Sequence, residues 1–469
     1  MTQDIARPHP YMPNSVPEAQ NAMLAAIGAN SIEQLFAQIP EDHRFRGRFD
    51  LPPALPSEVE LRRHLLRTLA KNESCEENLS FLGAGIYQHN VPAIVDEIAG
   101  RSEFLTSVWG TAMSDHGRNQ VWFEFASQLG ELVGMEFVGL PVYSWGCAAG
   151  NAIRMASRIT GRRKVLVAGS TDPERLAVIR QYCEPVETKS HIAVETVGFD
   201  PRTGLVDRAD LEAKLTDAVA AIYMEVPSFF GTIEAEPAAL AAAARAKGAI
   251  TIVGVDPISL GILAPPSEYG AEIVVGTIQT LGAHMNCGGG AGGFIASRDE
   301  EVYAREYPTL NISVTQTSVP GELGFGLCLA HQSSYGLRED GKDWTGNSVY
   351  LTAIASAVYM SLMGPEGFRE IGELIVQRAR YAARRIAALP GVEIAFADGF
   401  FKEFVVRFDG TGKSVAQINE RLRQKKIFGG KDISGDFPAL GRAALYCVTE
   451  VHTKDDIDRL VEALEEVLA

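Results

Sequence analysis

The sequence predicts an α/β fold: a large domain with a mostly parallel sheet over residues 57–345, a smaller α+β domain over 346–469, and an N-terminal arm over 1–56. Three observations predict it. Short β-branched or apolar runs recur between 164 and 276, alanine-rich stretches separate several of them, and the texture changes near Val349 to long helices followed by strands and helices. Strands separated by helices become parallel neighbours, and a sheet covered on both faces reads as continuous apolar runs.

In order along the chain, the arm holds a Pro-rich opening, helical pieces around Ala19 to Ile27 and Ile32 to Phe36, and a break at Leu51-Pro-Pro-Ala-Leu-Pro56. A Ser57 to Glu60 capping-box pattern starts the next helix. Strands are expected at Lys164 to Ala168, Ile192 to Val197, Ala218 to Glu225, Ala249 to Val255 and Glu272 to Gly276, with a clear helix from Pro237 to Lys247. After Val349 a helix runs to Met363, breaks at Gly364-Pro365, and a second helix runs to Leu389; the chain closes on a helical pattern from Ile457 to Leu468. No internal repeat is apparent.

Composition narrows the function. A net charge of -16 argues against nucleic acid or an anionic membrane as the main partner, because phosphate binding draws on clustered Lys and Arg. The six cysteines stand far apart with no CxxC pair, as expected of a reducing cytoplasm. Neither an export signal nor a membrane span is expected from the apolar patterning. The nine histidines have no HExxH spacing and no Cys/His cluster, so no metal site is expected.

The most telling stretch is Thr251-Ile-Val-Gly-Val255 followed by Asp256-Pro-Ile-Ser-Leu260, a buried strand ending in a carboxylate. In pyridoxal-phosphate enzymes a strand-end aspartate steadies the protonated ring nitrogen, and a lysine some tens of residues later forms the Schiff base. Here no lysine occurs between Lys247 and Lys342. Lysine is scarce throughout, so the gap counts only because of where it falls. A self-sufficient pyridoxal enzyme would need Lys247, which reads as the solvated end of a helix. Asp256 is either a relic of ring-nitrogen recognition or a strand-end cap bonding nearby N–H groups.

Other motifs are read against plainer alternatives. Tyr143-Ser144-Trp145-Gly146-Cys147-Ala148-Ala149-Gly150 ends an apolar strand and opens a helix expected from near Asn151; its small residues either let N–H groups face an anion or serve close packing at Gly146. Phe81 to Gly85 with Tyr87 and His89 could present a polar pair to a cleft, or His89 is simply a hydrogen-bonded core histidine. Asn286 to Gly293 contains GxGxxG, but Phe294-Ile295-Ala296 after it reads as a strand, against a dinucleotide loop. Gly410 to Ser414 lacks the first glycine of a phosphate loop and reads as a turn.

The chain resembles the glycine cleavage system P-protein family, in the α-subunit form of the two-subunit glycine dehydrogenase (decarboxylating). The resemblance is carried by His9-Pro-Tyr-Met-Pro13, Met23 to Gly28, Asp50 to Leu55, Phe81-Leu-Gly-Ala-Gly85, Arg101-Ser-Glu-Phe104, Phe123-Glu-Phe125, Asp256 to Leu260, Pro265-Pro266 with Glu268-Tyr-Gly270, Gly364-Pro-Glu-Gly367 and Cys447-Val-Thr-Glu450, in order over nearly the whole chain. It implies a fold-type-I, pyridoxal-phosphate-transferase-like large domain. It also implies an α2β2 assembly in which the β subunit carries the lysine-bound pyridoxal phosphate. In the implied reaction the ring is an electron sink for glycine decarboxylation, and the aminomethyl group passes to the lipoyl arm of the H-protein.

Several loops depart from the family pattern: Trp109 to His116, Tyr143 to Gly146, Ile278-Gln279-Thr-Leu-Gly282 followed by His284, an aspartate at 256 in place of the usual asparagine, and Arg338 to Asn347. Two further readings therefore stay open, a paralogous subunit acting on a different amine and a non-catalytic binding protein of the same fold. Trp109, Trp145 and Trp344 fall in these loops; extra aromatic bulk suits a larger ligand, or simply refills lost contacts. The candidate catalytic residues are His116, His284 and Asp256. Candidates for substrate or interface contact are Tyr87, His89, Trp109, Asp115, Ser144, Trp145 and Gln279. No residue is singled out for cofactor binding, no cofactor is expected to be bound covalently by this chain, and no metal ligand is expected.

Overall fold

The computed structural model describes residues 11–104, 112–186, 190–285, 292–328, 342–346 and 349–469, with the side chains of residues 13 and 112–117 left aside. It divides into two units, Met1–Glu73 and Ser74–Ala469.

The first unit contains helices Pro17–Ala26, Ile32–Leu35 and Glu58–Leu69. Ser31 and Ser57 cap the last two by accepting from the N–H groups of Gln34 and Glu60. None of these helices has a buried residue. Large apolar side chains such as Phe45, Phe49, Leu51 and Leu69 are more than half exposed.

In the second unit the strands are β1 (Leu79–Ser80), β2 (Phe137–Val138), β3 (Lys164–Ala168), β4 (Ala193–Val197), β5 (Val219–Glu225), β6 (Ile250–Val255), β7 (Ile273–Thr277), β8 (Gly293–Ser297), β9 (Asn311–Gln316), β10 (Leu323–Cys328), β11 (Glu393–Ile394), β12 (Glu403–Arg407), β13 (Ile427–Phe428), β14 (Lys431–Asp432) and β15 (Ala443–Cys447). Seven form the main sheet in the order β2-β8-β7-β6-β5-β3-β4, parallel from β7 to β4, with β8 antiparallel to β7 and β2 antiparallel to β8. The expected strands are all present within one or two residues of their expected ends, and Phe294 to Ala296 is indeed a strand. The chain is therefore an α/β fold built on a mostly parallel sheet.

The strands read as continuous apolar runs because both faces are covered. Leu166, Ile222, Met224, Val253, Val255 and Val274 point into one core, and Val165, Val167, Tyr223, Ile252, Ile273 and Val275 into the other. The first core is roofed by helices Ala112–Val133 and Tyr350–Ala387, the second by helix Trp145–Thr160. The break expected at Gly364-Pro365 is a kink within the long helix: Gly364 adopts φ 56°, and helical geometry resumes after it. The helix after Ser144 starts at Trp145 and not near Asn151, so the small residues 146–150 lie in its first turns. They serve packing: a Cβ on Gly146 would lie 2.9 Å from Val178, and one on Gly150 2.8 Å from Tyr182.

A second, antiparallel sheet runs β11-β12-β15-β14. One face packs on helices Val415–Gln424, Lys454–Leu468 and the end of the long helix; the other meets Phe229 and Phe230, with Phe230 tilted against Phe396 and edge-on to Phe437. Residues 410–414 form a turn, as expected, and Ser414 starts the next helix with a capping box. Among the described residues no helix is long and apolar enough to cross a membrane, and no His/Cys/Asp/Glu group is arranged to hold a metal ion. Cys75, Cys147, Cys183, Cys328 and Cys447 are all free.

The two sheets meet where Phe401 donates its N–H to the carbonyl of Gly231 at 2.9 Å. Gly231 holds φ +79°, and a Cβ there would overlap the Glu403 carbonyl. Gly231→Ala should therefore cost at least about 2 kcal/mol, read by urea denaturation, because strain and a backbone clash add at one position.

Candidate functional site

β6 ends at Val255, and Asp256 turns the chain into a short 3-10 helix over Pro257–Gly261 by accepting from the Ile258 N–H at 3.2 Å. One carboxylate oxygen is thereby a cap. The other meets the ammonium of Lys402, which lies immediately before β12, 146 positions along the chain. A lysine thus does reach Asp256, from a segment outside the spacing considered in the sequence.

Lys402 is almost completely buried and sits at φ +64°, an unusual backbone state for a residue bearing a side chain. Its Nζ also donates to Nε2 of His89 at 2.7 Å and lies 4.0 Å from the centre of the Tyr87 ring. With Nε2 accepting, the ring proton is assigned to Nδ1, which donates to Glu450 at 2.7 Å. A chain of charge-assisted contacts therefore runs Asp256, Lys402, His89, Glu450. Burial alone would raise the Glu450 carboxyl, but His89 and the Asn90 N–H outweigh it and hold it at about 2.

Tyr87 is fixed from two sides. The Gln279 amide clasps its backbone, accepting from Tyr87 N–H at 3.0 Å and donating to Tyr87 C=O at 2.9 Å, while the Tyr87 hydroxyl donates to Glu403 at 3.0 Å. Burial raises the Glu403 carboxyl to about 7, with Lys402 and hydrogen bonds from Ala84 and Tyr87 opposing it. On the other side of the cavity Arg175 donates to both Glu225 oxygens at 2.7 Å and lies 3.7 Å above the Trp145 indole. Burial opposes the Arg175 charge, and Glu225 with Asp172 more than compensates. Trp145 enters because Ser144 caps its helix, accepting from the Cys147 N–H at 3.2 Å, and because Gly254 leaves β6 bare where the indole lies.

The structure thus brings together Tyr87, His89, Trp145, Asp256 and Gln279, with Ser144 adjacent. His284 is elsewhere, more than half exposed and paired with Asp96 at 3.0 Å. Trp109 lies outside the described residues, as do the side chains of Asp115 and His116. Sequence reasoning missed Lys402, Arg175, Glu225 and Glu403. The usable signal for Lys402 was its setting, a charged pair inside Phe400-Phe401-Lys402-Glu403-Phe404-Val405-Val406.

The residues around Asp256 do not fit a pyridoxal ring. The carboxylate that would face a ring nitrogen is engaged by Lys402, Trp145 and Arg175 fill the adjoining space, and the remaining cavity of about 10 Å³ has room for about one water. Lys247 ends its helix with a half-exposed side chain, as expected.

A family model described as glycine cleavage system P-protein matches residues 9–464. The chain belongs to the glycine cleavage system P-protein family. Among relatives of the family, probable glycine dehydrogenase (decarboxylating) subunit 1 of Desulfitobacterium hafniense is 37% identical over 97% of this chain and 99% of its own length. The protein of the same name from Staphylothermus marinus is 35% identical, covering 98% of each chain. A crystal structure of an inhibitor-bound glycine decarboxylase (P-protein) superposes with a TM-score of 0.85 at 32% identity, covering 98% of this chain and 99% of that one. Sphingosine-1-phosphate lyase of Burkholderia pseudomallei shares the fold at TM-score 0.62 and 15% identity, covering 92% and 94% of the two chains.

Two expectations follow for this P-protein relative. Lys402→Met strands a buried carboxylate and should cost about 3–5 kcal/mol, much of it regained in the Asp256→Asn/Lys402→Met double variant, as a denaturation double-mutant cycle would read. Glu403, with its folded value near 7, binds a proton that the unfolded chain releases, so its contribution to stability falls as pH rises from about 4.5 to about 7 and is flat beyond. Glu403→Gln should remove that slope, worth about 3 kcal/mol, from a pH series of urea melts.

Proposed function

We propose that this chain is the α subunit of a two-subunit glycine dehydrogenase (decarboxylating) of the glycine cleavage system. The reading is supported by full-length similarity to proteins named as subunit 1 of that enzyme. The observation that carries the division of labour is the closed site at Asp256, where Lys402, Trp145 and Arg175 occupy the space a cofactor would need. Pyridoxal phosphate then belongs to the partner β subunit in an α2β2 assembly, where it supplies the electron sink for decarboxylation. This chain contributes fold, interface and shape around the partner's site, without a Schiff-base lysine of its own, and the lipoyl H-protein receives the aminomethyl group. The cytoplasm is the proposed location.

The first unit favours a partner chain. Its helices bury nothing, and exposed Phe45, Phe49 and Leu51 are the apolar surface that association removes from water. Trp145 refills contacts under Arg175 and does not line an enlarged cavity, so it gives no support to a bulkier amine.

The test is co-expression with the β subunit encoded by the same host, purification, and measurement of glycine-dependent exchange of labelled bicarbonate with H-protein present. Activity is expected only when both subunits are combined. A preparation of the β subunit alone that matches the complex would rule the proposal out.

A further inference from the structure

The contacts of Lys402 have the make-up of a receptor site for an organic ammonium ion. A carboxylate (Asp256), a ring nitrogen acceptor (His89 Nε2, 2.7 Å) and the face of an aromatic ring (Tyr87, 4.0 Å) surround one cationic head; Asp256 and Tyr87 are buried, and the His89 side chain is 3% exposed. Each wall is itself braced: Asp256 by the Ile258 N–H, His89 by Glu450, and Tyr87 by Gln279 and Glu403. These braces come from the turn after β6, from the residues after β7, from β12 and from the residues after β15. The cation, carried just before β12, touches both the end of β6 and the segment 87–89.

The arm carrying the cation is strained, whereas its cage is not. Lys402 adopts a left-handed backbone conformation without glycine's freedom, between Phe401 and Glu403, and its carbonyl accepts from the Val448 N–H at 2.9 Å.

We propose that the pocket at Asp256 is an ammonium-binding site permanently occupied by a ligand tethered to the chain, Lys402, and that this internal ligand clamps the second sheet onto the end of β6. The site differs from an ordinary buried ion pair in one respect: emptied, it keeps its carboxylate, acceptor and aromatic wall, and binds a free primary ammonium in the lysine's place. The inference concerns this chain alone and stands or falls separately from the glycine reading.

The experiment uses full-length Lys402→Ala, titrated with n-butylammonium chloride and followed by thermal unfolding. The variant is expected to melt several degrees below the wild-type protein and to recover saturably with n-butylammonium. n-Butanol at the same concentration should fail to restore it, and Lys402→Ala/Asp256→Asn should not respond. Equal effects of n-butanol and n-butylammonium, or a response in the double variant as large as in the single one, would overturn the proposal. Should Lys402→Ala not fold, the wild-type and Asp256→Asn proteins decide the matter by native amine acetylation and peptide mapping. Lys402 should label at least roughly tenfold more slowly than exposed Lys454, and faster once Asp256 is neutral. Labelling of Lys402 at the Lys454 rate, or no change in Asp256→Asn, contradicts the clamp.

Discussion

The meeting of Lys402 with Asp256 is the interaction on which the rest of the site depends. Two opposite charges in a dry setting are costly unless each is paired and hydrogen-bonded. The surrounding residues are best understood as the means of meeting that requirement. His89 accepts a hydrogen bond from the ammonium and donates one to the mostly buried Glu450; Tyr87 turns its ring to the cation; Glu403 accepts from the Tyr87 hydroxyl. Arg175 with Glu225 repeats the arrangement on the far wall, its guanidinium flat on Trp145. Loss of one member leaves a neighbour buried and unpaired, so the cluster behaves as a unit.

That unit sits where the two sheets are already pressed together. The phenylalanines at 229, 230, 396 and 437 supply apolar burial between the sheets, and Gly231 lets β12 approach closely enough for Lys402 to reach the end of β6. Hydrophobic contact is tolerant of small shifts, whereas the charged contacts have directional requirements. The aromatic cluster accordingly supplies adhesion and the lysine supplies register. A site so tightly filled leaves space for about one water.

Much of the fold was legible in the sequence because it is local. The five strands from β3 to β7 are runs bounded by turn residues, and their two-sided burial explains why they do not alternate. Gly364-Pro365 announced a break, which the structure shows as a kink at Gly364 within one long helix. Asp256 was found because a carboxylate at the end of a buried strand is conspicuous, Tyr87 and His89 because they form a polar pair after Phe81–Gly85, and Gln279 because its loop departs from the family pattern. The start of the helix at Trp145 was misjudged because Ser144-Trp145-Gly146 looks like loop, whereas the Ser144 cap makes it the first turn. Lys402 escaped because its partners lie 146 and 313 positions away and nothing in local spacing connects them. His284, chosen for its place in an altered loop, pairs with Asp96 at the surface, a choice that only tertiary contacts could settle.

We propose that this member of the P-protein family closes the site at Asp256 against a cofactor and leaves pyridoxal chemistry to a partner. The most direct test is borohydride reduction of the purified two-subunit complex, followed by peptide mapping of the pyridoxyl-lysine. The label is predicted on the partner subunit alone, with Lys402 unmodified. A pyridoxyl group on Lys402, or on any other lysine of this chain in stoichiometric amount, would contradict it.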